Sequence, residues 1–306
     1  MLRKTLLWAS TNAFMVEKLP TYGFVKRATK RFIPGEDLQD ALAEAAALKE
    51  SGISTTVTLL GENINTPEEA DGVLEHYTSV LETVKAQDLD TEVSIKLTQL
   101  GLDLDADAAR DRLERLVRSV DPGSMVWVDI ESSAYVDVTL DIFRSVREDH
   151  QNVGLCLQSY LHRTKADLEA LLPLHPAIRL VKGAYQEPPD VAFPKKRDVD
   201  QNYIYLTGML LKARKAGRAG RPVFGTHDPR MIGEANRIAY ELGLPKDAYE
   251  FAMLYGIQSS EQIRLASSGY SVRVLVSYGK AWFPWYMRRL AERPANVLFV
   301  MKQMVR

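Results

Sequence analysis

Arg179, Lys182 and Tyr185 stand together in Arg179-Leu180-Val181-Lys182-Gly183-Ala184-Tyr185, at the end of an apolar, β-branched run. Apolar runs of this length, bounded by turn residues, read as buried parallel strands. A charged side chain inside such a strand must meet a ligand or a partner, because an unpaired buried charge is costly. Gly183 lets another group come close to the backbone. The combination predicts an anionic or electron-rich ligand lying across the C-terminal end of a strand.

Polar residues recur where other apolar runs end. Glu62 follows the first run, Lys96 lies in the second, Asp129 and Glu131 in the third and Gln158 in the fourth. Thr226, His227 and Asp228 close the sixth. Lys96 and Asp129 could equally be a buried ion pair between neighbouring strands. His227 offers acid–base chemistry or a contact to a cofactor. His162, His175 and His227 have no spacing that would converge on a metal. Arg288 and Arg289 precede Glu292 by one helical turn. Such a trio forms either a solvated face with ion pairs or a carboxylate clamp of two guanidinium groups steadied by Glu292. Cys156, the sole cysteine, falls in the apolar stretch 153–157 and reads as a buried, inert thiol.

The elements that must position these groups follow a simple alternation. Strand-like runs cover 55–60, 93–97, 126–130, 153–158, 178–184, 223–227, 249–254 and 272–276. Helical patterns fall between them, at 66–87, 106–120, 135–149, 165–172, 198–216, 230–242 and 260–268. Eight such units predict an α/β fold, a closed (β/α)8 TIM-like barrel whose site lies at the strand C-termini. An open doubly wound sheet lacks support, because no Gly-x-Gly-x-x-Gly follows a strand. Residues 11–51 read as helical and Gly52 as their stop. The expected organisation is one domain, 1–306, with a helical cover over 1–52 and the barrel over 53–306. Trp282, Phe283, Pro284, Trp285 and Tyr286 crowd the start of a final helix. That helix is expected over the barrel mouth rather than on the outer wall.

Composition excludes several classes. With 39 basic and 40 acidic residues and a net charge of -1, there is no nucleic-acid footprint and no polybasic membrane anchor. No apolar run approaches the roughly 20 residues of a membrane span. A soluble, cytoplasmic protein is expected, with peripheral contact at the inner face of a membrane left open.

The segment 179–185 resembles the fifth barrel strand of the flavin-dependent proline dehydrogenases. Trp285-Tyr286-Met287-Arg288-Arg289-Leu290-Ala291-Glu292-Arg293 followed by Asn296, Thr226-His227-Asp228, Ser94-Ile95-Lys96-Leu97 and Val128-Asp129 extend the likeness in family order. Together they span the chain from about Ile53 to its C-terminus and are similar to a monofunctional bacterial-type member. The resemblance implies oxidation of L-proline to 1-pyrroline-5-carboxylate, a non-covalent FAD as hydride acceptor and a quinone as electron acceptor. It implies that Lys96, Arg288 and Arg289 hold the substrate carboxylate, with Asp129 beside them. Tyr185, Leu254 and Leu275 would line the ring pocket. Gln158, Arg179, Val181, Lys182, Gly183 and Ala184 would contact the flavin, with Arg179 and Lys182 favouring its reduced, negative state. Thr226, His227 and Asp228 would bind its pyrophosphate or adenosine side, and Glu292 would lie near the clamp.

Three positions depart from the family pattern. Leu275 stands where a tyrosine is usual, Ala252 where a glutamine is usual, and Asp228 replaces asparagine. Leu275 should reshape the ring pocket and favours hydroxyproline or another cyclic imino acid as an alternative substrate. Ala252 removes an expected flavin hydrogen bond. Asp228 adds a negative charge near a phosphate site unless it is paired. A flavin-free barrel that binds a carboxylate ligand is the remaining alternative.

Overall fold

The computed structural model describes residues 12, 14–15, 32–61, 64–121, 123–283 and 287. Helix α1 (Leu38–Lys49) leads into eight strands, β1 (Ser54–Leu59), β2 (Thr91–Lys96), β3 (Val126–Asp129), β4 (Val153–Gln158), β5 (Ala177–Val181), β6 (Arg221–Gly225), β7 (Glu250–Leu254) and β8 (Ser271–Tyr278). Between them run α2 (Pro67–Ala86), α3 (Ala106–Arg118), α4 (Val136–Asp149), α5 (Thr164–Leu171), α6 (Lys196–Lys215), α7 (Pro229–Glu241) and α8 (Ser259–Ser267). All neighbouring strands are parallel, and β8 pairs back onto β1 to close the barrel.

Side-chain alternation along each strand explains the closure. Outward positions are apolar: Val93 and Ile95 on β2, Ile178 and Leu180 on β5, Val272, Val274 and Val276 on β8. They share one buried cluster with helix residues such as Leu74, Leu113, Leu140, Leu168 and Leu206. Inward positions are different in kind. Glu92 and Ser94 on β2, Asp129 on β3, Arg179 on β5 and Arg273 on β8 place polar and charged groups inside the cylinder. The interior is therefore paired and hydrogen-bonded, whereas the apolar core lies between strands and helices.

Local chemistry fixes the helix starts. Thr66 accepts from the Glu69 N–H at 3.3 Å, Asp105 from Ala108 at 3.0 Å and Asp228 from Arg230 at 3.1 Å, each capping the helix it precedes. Gly52 takes φ +68 just after α1, the left-handed geometry expected of a helix stop.

Two expectations are corrected. The helical reading of 11–51 holds for α1, but residues 33–37 are not helical, and most of 11–31 lies outside the described residues. The apolar periodicity of α1 does not extend back through Pro34-Gly35, which break it. The fifth strand ends at Val181 and the sixth at Gly225. Lys182, Gly183, Ala184, Tyr185 and His227 thus sit in loops beyond the strand ends rather than inside the strands. Of the final helix, Trp282 and Phe283 are described as helical and buried. Trp282 Nε1 donates to Glu36 at 3.3 Å, so this segment starts against the chain that precedes α1.

Candidate active site at the barrel mouth

Strand C-termini surround a cavity of about 730 Å³. Inward residues of all eight strands line it, from Thr56 and Thr58 on β1 to Leu275 on β8. Lys96, Asp129, Gln158, Arg179, Val181, Lys182, Gly183, Ala184, Tyr185, Thr226, His227, Asp228, Leu254 and Leu275 all take part. The fold thus brings together the site residues expected from sequence that fall among the described residues. Arg288, Arg289 and Glu292 lie outside the described residues, as does Glu62. Glu131, also expected from sequence, is not among the lining residues; its buried carboxylate accepts from the Thr98 N–H at 3.3 Å and the Thr98 hydroxyl at 2.9 Å.

Beneath the cavity, Arg179 is buried and donates to Ser94 Oγ at 2.8 Å and to the Asp129 carboxylate. Lys96 and Asp129 are register partners on β2 and β3. The carboxylate nevertheless engages Arg179, the planar donor that reaches it across the barrel. Cys156 lies on β4 opposite Arg179, and burial pushes its thiol up to about 11. It is protonated and unreactive at neutral pH. Gln158 donates to the Ile130 carbonyl at 3.4 Å, while its buried Oε1 has no partner among the described residues.

On the β5–β6 side the cations are already paired. Lys182 Nζ donates to Asp200 at 2.6 Å and to Asp228 at 2.8 Å, and Lys196 also reaches Asp200. Burial of Asp200 opposes ionisation, but the Lys182 and Lys196 hydrogen bonds outweigh it and hold the carboxyl below its ordinary range. The same balance, burial against Lys182, holds Asp228 low. The extra negative charge at Asp228 is therefore paired. Its N–H also donates to Thr226 Oγ1 at 3.1 Å. His227 Nε2 accepts the Leu254 N–H at 2.8 Å, which places the proton of a neutral ring on Nδ1.

Gly183 admits the close approach expected of it, and the group that approaches is a side chain of the protein. At φ +115 it adopts a conformation other residues avoid, and a Cβ there would come within 2.2 Å of the Tyr160 ring. The close approach is made by this tyrosine at the end of β4. From there residues 183–195 form a loop packed against the segments that follow β3 and β4. Glu187 accepts from the Ser133 N–H at 2.7 Å and hydroxyl at 2.6 Å. Phe193 N–H donates to the Tyr160 carbonyl at 2.8 Å, and the Phe193 ring lines the cavity.

Sequence reasoning missed Thr56, Thr58, Tyr160, Phe193 and Asp200. The two threonines were legible as polar alternates within β1. Asp200, one turn into α6, carried no signal, because its role depends on Lys182, 18 residues away.

Comparison with known proteins agrees with this geometry. Residues 41–302 match the family described as Proline dehydrogenase. The chain is 37% identical over 306 residues to Proline dehydrogenase 2 of Bacillus subtilis (strain 168), covering 99% of each. It is 38% identical over 283 residues to Proline dehydrogenase of Deinococcus radiodurans, covering 90% of each. Among solved structures, proline utilization A from Bdellovibrio bacteriovorus inactivated by N-propargylglycine superposes with TM-score 0.81 at 23% identity. That likeness covers 95% of this chain and 36% of the longer one and concerns the fold.

Proposed function

The chain belongs to the proline dehydrogenase family, and from that premise we propose that it oxidises L-proline to 1-pyrroline-5-carboxylate, using FAD in the cavity and passing the electrons to a quinone. The cavity at the strand C-termini, lined by residues of all eight strands, is the observation that supports this reading most. The same reading takes 1–306 as one catalytic domain, with peripheral contact to a quinone-bearing membrane.

The residues present suit a large planar, anionic nucleotide. Gln158 offers a buried acceptor that has no partner among the described residues, and Lys182 and Lys196 bring cations to the cavity wall on the β5–β6 side. When bound, the flavin supplies the two-electron acceptor that side chains lack. The protein's part is to bind and orient. Lys96, with Arg288 and Arg289, holds the substrate carboxylate. Leu254, Leu275 and Tyr185 shape the space for the ring. Fixing the carboxylate and the ring at once sets the reacting carbon, a positioning contribution. Arg179 brings positive charge to where negative charge develops. Its strength there is moderated by Asp129, which already shares its guanidinium.

Turnover of proline, hydroxyproline and pipecolate by the FAD-loaded protein with a quinone tests the substrate. Proline is the expected substrate, and loss of turnover with proline alone would move the assignment to the other imino acids. Leu275→Tyr should improve proline use, since a ring would fill space that leucine leaves, with an effect of about 1 kcal/mol in kcat/KM. Arg288→Met should raise KM far more than it lowers flavin content.

A further inference from the structure

Trp127 is buried inside the barrel, directly below the cavity, at 1% exposure. Its register partner on β4 is Gly154, where a Cβ would stand 2.6 Å from the indole. Glycine here makes room for the ring. Two guanidinium groups lie over that ring: Arg179 at 5.1 Å and Arg221 at 5.6 Å from its centroid. The indole Nε1 donates to Glu92 Oε2 at 2.8 Å. Glu92 in turn pairs with Arg221 and with Arg273, which meet Glu250. The tryptophan therefore joins the ionic layer of Glu92, Arg221, Glu250 and Arg273 to the cation at the cavity floor.

We propose that Trp127 is a positioning residue: its indole, anchored to Glu92, supports the Arg179 guanidinium from below and fixes the plane in which that group meets Asp129 and the ligand. Arg179 Nη2 donates to both Ser94 and Asp129, on β2 and β3, and the guanidinium also meets the Cys156 thiol on β4. Those bonds locate the end of the side chain but leave the group free to tilt. A desolvated aromatic face removes that freedom. The role at the ligand rests on the FAD-dependent reading above; the contact between Trp127 and Arg179 does not.

A double-mutant cycle tests it. Deflavinated wild type, Trp127→Phe, Trp127→Leu, Arg179→Lys and the Leu/Lys double variant are titrated with FAD, and each is unfolded in urea. Phenylalanine keeps an aromatic face, so its affinity for FAD should stay within about twofold of wild type, while leucine should weaken it about tenfold. In the Arg179→Lys background, leucine should cost less than about twofold, because a flexible ammonium has no plane to hold. Penalties that multiply across the cycle, or equal losses for phenylalanine and leucine, would overturn the proposal. Wild type that takes up no FAD would instead refute the functional reading. The urea cycle then decides the proposal: coupled unfolding effects support it and additive ones refute it. If Trp127→Leu does not fold, Gly154→Ala, which crowds the indole from β4, takes its place in the cycle.

Discussion

Charge at this site is arranged in pairs before any ligand arrives. Lys182 lies between Asp200 and Asp228, and Arg179 faces Asp129. The cations were legible in the sequence, since a lysine and an arginine in an apolar run demand an explanation. Asp129 and Asp228 were also singled out, but which cation each would meet was not, because Asp228 is 46 residues from Lys182 and Asp129 is 50 from Arg179. Only closure of the barrel brings them together. Asp200 carries a prediction. Its folded carboxyl is held low, so its contribution to stability is complete above the ordinary carboxylate value of about 3.9 and is lost as pH falls through the lower folded value. Asp200→Asn should therefore destabilise the protein by about 1–3 kcal/mol near neutral pH, because two lysines lose a buried partner. Urea unfolding of both proteins across acid pH should show the gap closing below the ordinary carboxylate range. A gap independent of pH would mean that the pairing contributes nothing.

At the scale of elements, strand existence was readable and strand ends were not. The apolar alternation of β5 continues into Gly183-Ala184, so a hydrophobic pattern alone runs past Val181. What stops the strand is tertiary. Tyr160 occupies the place of a Gly183 side chain, and the loop 183–195 turns there toward the segments that follow β3 and β4. The pattern was also silent on the difference between the two faces of each strand. It registered the outer valines and isoleucines and passed over Thr56 and Thr58, which face the cavity. Gly183→Ala must adopt a positive φ and displace a buried ring, at a cost of about 2–4 kcal/mol. A lowered melting temperature together with faster proteolytic cleavage within 183–195 is the expected result. Unchanged values for both would show that the glycine is incidental.

Among the described residues, the barrel carries the candidate site at its strand C-termini and an ionic layer toward the strand N-termini. The eight-fold alternation of strand and helix made the architecture legible from sequence. The ionic layer at the far end was not, since Glu92, Arg221, Glu250 and Arg273 come from β2, β6, β7 and β8. Glu250 accepts from Arg221 at 2.8 Å and from Arg273 at 3.3 Å, and both arginines are largely buried. Removing one member of such a set leaves buried charge without compensation. Glu250→Gln should lower stability by about 3 kcal/mol, read from the urea midpoint; an unchanged midpoint would show that the pairing contributes nothing. The visible absorption spectrum of the FAD-loaded protein, recorded before and after anaerobic addition of L-proline, shows whether the imino acid delivers its electrons to the flavin. Bleaching of the oxidised flavin bands by proline is the predicted result. A spectrum left unchanged by proline, in protein that holds the flavin, would contradict it.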